Sequence, residues 1–185
     1  MKISRLAYAA FGFALAVIVL DQLTKAWILD AMNMLTVSGQ LIEREQWFFQ
    51  SLPVLPPFLR FSFVLNDGVS FGLLGGGTAR WLLSGFSIAV AVALGWWATR
   101  VDRRLLITAI GLVMGGAVGN VIDRIRFGGV VDFIDFSGTV IAGHRVFPWI
   151  FNIADSAISV GVVLLIVDSL LSERHPPVGE AAEKS

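Results

Sequence analysis

Cysteine is absent from this chain of 185 residues. That excludes disulfides, thiolate nucleophiles, iron–sulfur ligation and a lipid anchor on a thiol of its own. Histidine is nearly absent: His144 and His175 are the only two, and neither stands in a spacing that holds a catalytic metal, so no metal and no cofactor are expected. Charge is scarce as well, at 15% of residues with a formal net charge of zero, against about a quarter in soluble domains. Without a basic surface there is nothing to hold a phosphate backbone, which argues against a nucleic-acid partner. What the chain has in quantity is apolar residues, 56% of the total, so the expected solvent is lipid.

Four apolar runs approach the length of about 20 residues needed to cross a bilayer: 6–29, 79–99, 105–122 and 154–171. The first opens with a basic flank like a secretory leader, but Asp21, Gln22, Thr24 and Lys25 interrupt it before any small-residue cleavage site, so it reads as a retained helix. Four spans put both termini on one side. The tight turn 100–104 carries Arg100, Arg103 and Arg104, and Lys2, Arg5, Arg174 and Lys184 flank the outermost spans, so that side is expected to be cytoplasmic. Residues 1–172 thus read as a single membrane-embedded domain, followed by a polar tail over 173–185.

Two longer segments, 30–78 and 124–153, then fall on the outer side. Pro53, Pro56 and Pro57 break the first, and 58–65 reads as a strand lying at the surface. Trp47, Phe48 and Phe49, with Trp149 in the second segment, suit the headgroup zone. Further strands are expected around turns at Ser137-Gly138 and Ala142-Gly143.

Polar residues set against the apolar runs carry the chemistry. An ionisable group at membrane depth costs about 2.5–3.5 kcal/mol on insertion scales, so it persists where it is paired, faces a wet cavity or is used. Asp21 and Lys25, four apart, share a helix face as a self-neutralising pair or as a brace for an active site. Asn66-Asp67-Gly68 reads locally as a turn. Gly115, Gly116, Ala117 and Gly119 form a small-residue stripe suited to close helix packing. It leads into Asn120, Asp123 and Arg124, which by themselves could be an ion network at a helix end. Asn152 and Asp155 have the spacing of an N-cap and its third helical residue. Capping does not explain Asp132, which sits among apolar residues in Val130-Val131-Asp132-Phe133-Ile134, with Asp135 as its competitor for any role. With neither cysteine nor a placed histidine, a carboxylate pair is the most economical catalyst. In a poorly solvated site one member keeps a proton while the other takes one from water.

Four blocks together resemble the lipoprotein signal peptidase, or signal peptidase II, family: Asp21-Gln22-Leu23-Thr24-Lys25; Asn66 to Gly72; Gly119 to Arg124 with Val130-Val131-Asp132-Phe133; and Phe151 to Ala157. The resemblance spans about residues 15–165. It implies an all-α integral membrane protein of four transmembrane helices, with a small periplasmic β-structure and a short outer helix, in the bacterial inner membrane. It implies an aspartic endopeptidase acting on diacylglyceryl-modified prolipoproteins just before the lipidated cysteine, among membrane lipids and as a monomer, and sensitive to globomycin-type cyclic peptides. By position, Asp132 and Asp155 match the catalytic dyad. Asn66, Gly68, Asn120, Asp123, Arg124, Asn152, Asp21 and Lys25 match binding or supporting positions. Val69 departs from the family's usual alanine, and the outer segments 33–53 and 137–145 are longer than usual.

Three other readings stand beside it. A small transporter or channel subunit would place its charges near the midplane at broken helices. A non-catalytic membrane assembly factor would tolerate loss of either aspartate. A serine–lysine hydrolase would use Ser70 or Ser156 with Lys25.

Overall fold

Helix α1 (Arg5–Ala31), α2 (Thr78–Ala98), α3 (Arg104–Phe127) and α4 (Ile153–Glu173) are each long and apolar enough to cross a bilayer. The computed structural model describes residues 5–43, 51–68, 78–141, 143–145 and 147–173. Strands β1 (Ser51–Leu55) and β2 (Leu59–Asn66) precede α2; β3 (Val130–Asp135), β4 (Val140–Ile141), β5 (His144–Arg145) and β6 (Ile150–Phe151) lie between α3 and α4.

Helix α3 is the hub. Most of its apolar window, 72%, is buried, against no more than 28% in any other helix. Its glycines allow this. A Cβ on Gly115 would come within 2.7 Å of the Ala14 carbonyl oxygen, so α1 packs there almost backbone to backbone, with Ala10 and Ala14 as the facing small residues. The other three helices turn large apolar side chains outward, among them Phe11, Leu15 and Leu23 on α1, Phe86 and Val92 on α2, and Val163 and Ile166 on α4. In water such a surface would be strongly unfavourable; facing lipid it costs nothing.

The four-stranded antiparallel sheet has the order β1-β2-β3-β6, and β4 pairs β5 as a separate hairpin. Its core lies against the end of α1, where Ile28, Leu29, Met32 and Met34 meet Val131 and Phe133. The strand expected over 58–65 is β2, which runs between β1 and β3 and stays half-buried to exposed along its length. Strands on either side of the Ser137-Gly138 and Gly143 turns are present as expected.

The largest difference from expectation is the end of the third span. Helix α3 continues five residues past Ile122, to Phe127, and stops at Gly128, whose φ of 84° is left-handed. A polar last turn ends an apolar run but not a helix. The glycine then reverses the chain directly into β3. Asn120, Asp123 and Arg124 therefore stand on one helix, with Asp132 folded back beside them. Trp47, Phe48, Phe49, Val69, Ser70 and the tail from 174 lie outside the described residues, and the short outer helix has no counterpart among those described.

Candidate active site

Two carboxylates meet where α3, β3 and the start of α4 converge. Asp132, on β3, is 2% exposed. Its Oδ1 accepts a 2.8 Å hydrogen bond from Asn152 Nδ2, and its Oδ2 a 3.1 Å bond from Asn66 Nδ2. Asn66 is itself aimed: its Oδ1 accepts the Gly68 backbone N–H at 2.9 Å in an Asx turn, and Gly68 has a φ of 76° that disfavours any side chain. Asp155, in the first turn of α4, accepts a 2.8 Å bond from Asn120 Nδ2 at Oδ1 and a 3.3 Å bond from the Asn152 backbone N–H at Oδ2.

Asn152 ties the two together. Its Oδ1 accepts the Asp155 N–H at 2.8 Å, completing the reciprocal cap expected from the spacing, while its amide group holds Asp132. The helix cap and the hold on Asp132 thus use the same residue. Burial, with Asp155 close by, pushes the Asp132 carboxyl up to about 7 against the pull of the Asn66 and Asn152 amides.

Behind the pair lies a buried ion cluster. Lys25 Nζ is 2.8 Å from Asp21 and 2.6 Å from Asp123, so one cation serves two carboxylates. It also donates to Asn120 Oδ1 at 3.4 Å, which leaves the Asn120 amide nitrogen directed at Asp155. Asp21 Oδ1 caps the Ala154 N–H at 3.0 Å, and Asp123 Oδ2 accepts the Val131 N–H at 3.0 Å. The cluster therefore pins both flanks of the site to α1. The close approach needs Gly119: a Cβ there would lie 2.8 Å from Asp21 Oδ2.

The ten residues matched to the dyad and its binding or supporting positions are all described, and their roles differ. Asp21 with Lys25 is not a self-contained pair, because Asp123 shares the lysine. Asp123 accordingly pairs inward, not with Arg124. Arg124 lies near Asp155, Asp123 and Asp132, and its Nε has no hydrogen-bond partner among the described residues. Asp135, the competitor, is occupied elsewhere by Arg60, Ser62 and Ser137. Despite burial, those bonds hold its carboxyl down to about 2.

Two further polar contacts were not read from the sequence. Gln22 donates to Asp123 Oδ1 at 2.9 Å and accepts from Arg126 at 3.1 Å; its position inside the Asp21–Lys25 block was the available signal. Asp168, buried on α4, pairs with Arg103 at 2.8 Å and ties α4 to the turn before α3. The serine–lysine arrangement finds no support: Lys25 is buried between two carboxylates, and Ser156 Oγ donates to the Asn152 carbonyl of its own helix. Among the described residues no group of three His, Cys, Asp or Glu could hold a metal ion.

A polytopic membrane protein with a carboxylate pair sheltered at one end of its helices is the class that this fold and site define. Residues 13–171 match the family model for signal peptidase (SPase) II. The lipoprotein signal peptidase of Caulobacter vibrioides is 46% identical over 177 residues, 95% of this chain and 94% of the relative. That of Methylorubrum extorquens is 40% identical, over 91% and 89%. A solved structure described as a bacterial membrane enzyme superposes with a TM-score of 0.71 at 31% identity, covering 97% of this chain and 98% of the other. The chain belongs to the signal peptidase II family and is a membrane peptidase.

Proposed function

We propose that Asp132 and Asp155 are the catalytic pair of an aspartic endopeptidase that removes signal peptides from diacylglyceryl-modified prolipoproteins, cutting just before the lipidated cysteine. One observation carries this reading: carboxylates from two different elements are brought together and aimed by asparagines, Asn152 contacting both, and one of them is raised to about 7. Near neutral pH Asp132 then holds a proton while Asp155 acts as base. Asp155 takes a proton from a water whose oxygen attacks the scissile carbonyl carbon, and Asp132 donates to the carbonyl oxygen. As the tetrahedral intermediate collapses, Asp155 passes its proton to the leaving nitrogen and a hydroxyl of the intermediate gives one back to Asp132, so one water is consumed, one peptide bond is broken and both carboxyls are restored.

The surroundings suit a lipidated precursor. Apolar faces of α1, α2 and α4 leave the acyl chains in bilayer, and Arg124, with a nitrogen unpartnered among the described residues, offers a donor for a substrate carbonyl beside the pair. Arginine placement supports both termini in the cytoplasm and the site at the outer face of the inner membrane. A globomycin-type cyclic peptide, occupying the same cleft, should inhibit.

The test is the pH–rate profile of the purified enzyme on a diacylglyceryl precursor. Turnover needs one carboxyl protonated and one ionised, so the expected profile is a bell whose alkaline limb falls near pH 7 as the pair loses its last proton. A rate still rising at about pH 9 would count against a shared proton.

A further inference from the structure

A cavity of about 240 Å³ opens on the sheet, its wall mixed: polar Ser51, Arg60, Ser62, Asp135 and Ser137 beside apolar Phe63, Val64 and Ile150. None of the reaction chemistry uses it. We infer that this cavity is a subsite for the stretch of mature lipoprotein that follows the cleaved bond, with Arg60 donating to a main-chain carbonyl or small polar side chain of that stretch; the inference rests on the reading of the chain as a lipoprotein signal peptidase.

Position and chemistry both point there. Val64, which lines the cavity, is paired in register with Asp132, and Asp135, at its other side, pairs with Arg60. Asp132 and Asp135 are three positions apart on the strand, about 10 Å at about 3.3 Å per residue. An extended substrate chain leaving the carboxylate pair covers that distance in about three residues. The apolar leader and the acyl chains belong to the bilayer, so the polar segment beyond the cut is the part that can lie over the sheet.

The cavity's donors and acceptors are unevenly used. Asp135 is saturated by the protein: Oδ2 accepts Arg60 Nε at 2.6 Å and Ser62 Oγ at 2.7 Å, and Oδ1 accepts the Ser137 N–H at 2.7 Å. Arg60 spends Nε on Asp135 and Nη2 on Ser137 Oγ at 2.9 Å, which leaves Nη1 without a partner among the described residues on a side chain 43% exposed. The carboxylate fixes the guanidinium and offsets its charge, and Arg60 stands in the cavity wall with Nη1 unspent among the described residues. A half-apolar cavity whose arginine is already neutralised selects a carbonyl or hydroxyl over a lysine or arginine side chain.

Two diacylglyceryl precursors test this, one continuing several residues past the modified cysteine and one ending a single residue beyond it. Wild-type enzyme is expected to favour the long precursor by about tenfold in kcat/KM, mostly through KM. Ser51→Trp, on the exposed strand β1 and outside the Arg60–Asp135 pair, fills the cavity and should reduce that preference below about twofold while the melting temperature holds. Arg60→Met should reduce it too, at some cost in stability. Equal wild-type efficiency on both precursors, or a preference surviving in Ser51→Trp, overturns the subsite alone. Cleavage of neither precursor by wild type overturns the underlying reading and the subsite with it.

Discussion

Asn152 joins more of the site than any other side chain, holding Asp132 with its amide while exchanging two hydrogen bonds with Asp155. Asn152→Ala should therefore lower kcat by about a hundredfold or more, because a misaimed carboxylate loses orientation as well as a bond. It should also cost about 1–3 kcal/mol of stability from the lost cap and the unpaired buried acceptor, read as a lower melting temperature. Lys25→Met leaves Asp21 and Asp123 buried without their cation, and a loss of about 3–5 kcal/mol is expected. A Lys25→Met variant that melts like wild type would refute the shared ion cluster. For Asp135 the sign follows from its lowered value. Its folded carboxyl, held to about 2 below the ordinary 3.8, stabilises the fold above pH 3.8, and that contribution fades as pH falls toward 2. Asp135→Asn should thus be clearly less stable than wild type at neutral pH, with the gap narrowing in acid; a gap that is constant with pH would contradict the ionic role.

At the scale of elements, α3 organises the protein, and its close contacts set the next expectation. Gly119→Ala pushes a methyl against the Asp21 carboxylate, so activity and stability should fall together, whereas Gly12→Ala, with open space around it, should change neither. Thermal melts and turnover of the two variants check this. The spans were legible because hydropathy reports burial in lipid directly, and the ends of α1, α2 and α4 lie within two residues of the apolar runs. The end of α3 was not, since its last turn carries Asp123, Arg124 and Arg126, and only Gly128 marks the stop. Strand β3 illustrates the same limit. Its apolar flanks announce burial, but that Asp132 turns toward Asn66 and Asn152 while Asp135 turns to Arg60 depends on sheet register, which no local pattern encodes. Long-range pairing was hidden for the same reason: Lys25 looks satisfied by Asp21 four residues away, and only folding brings Asp123 to it.

For the whole molecule, the outward apolar faces of four long helices define a chain threaded through a bilayer, with the carboxylate pair at one end of the helices. The lack of native cysteine gives a clean test of which surface that end faces. A single cysteine at Asp102, in the turn between α2 and α3, should react with an impermeant thiol reagent only after the cytoplasmic side is opened. One at Val37, fully exposed beyond α1, should react from outside. The reverse pattern would invert the topology. The claim on which the rest depends is the carboxylate pair. The most direct measurement is gel-shift cleavage of a diacylglyceryl precursor by purified wild type, Asp132→Asn and Asp155→Asn, each first checked for membrane insertion and melting temperature. The account expects both variants to be inserted and folded, with turnover reduced by at least about a thousandfold. Robust cleavage by either variant would contradict it.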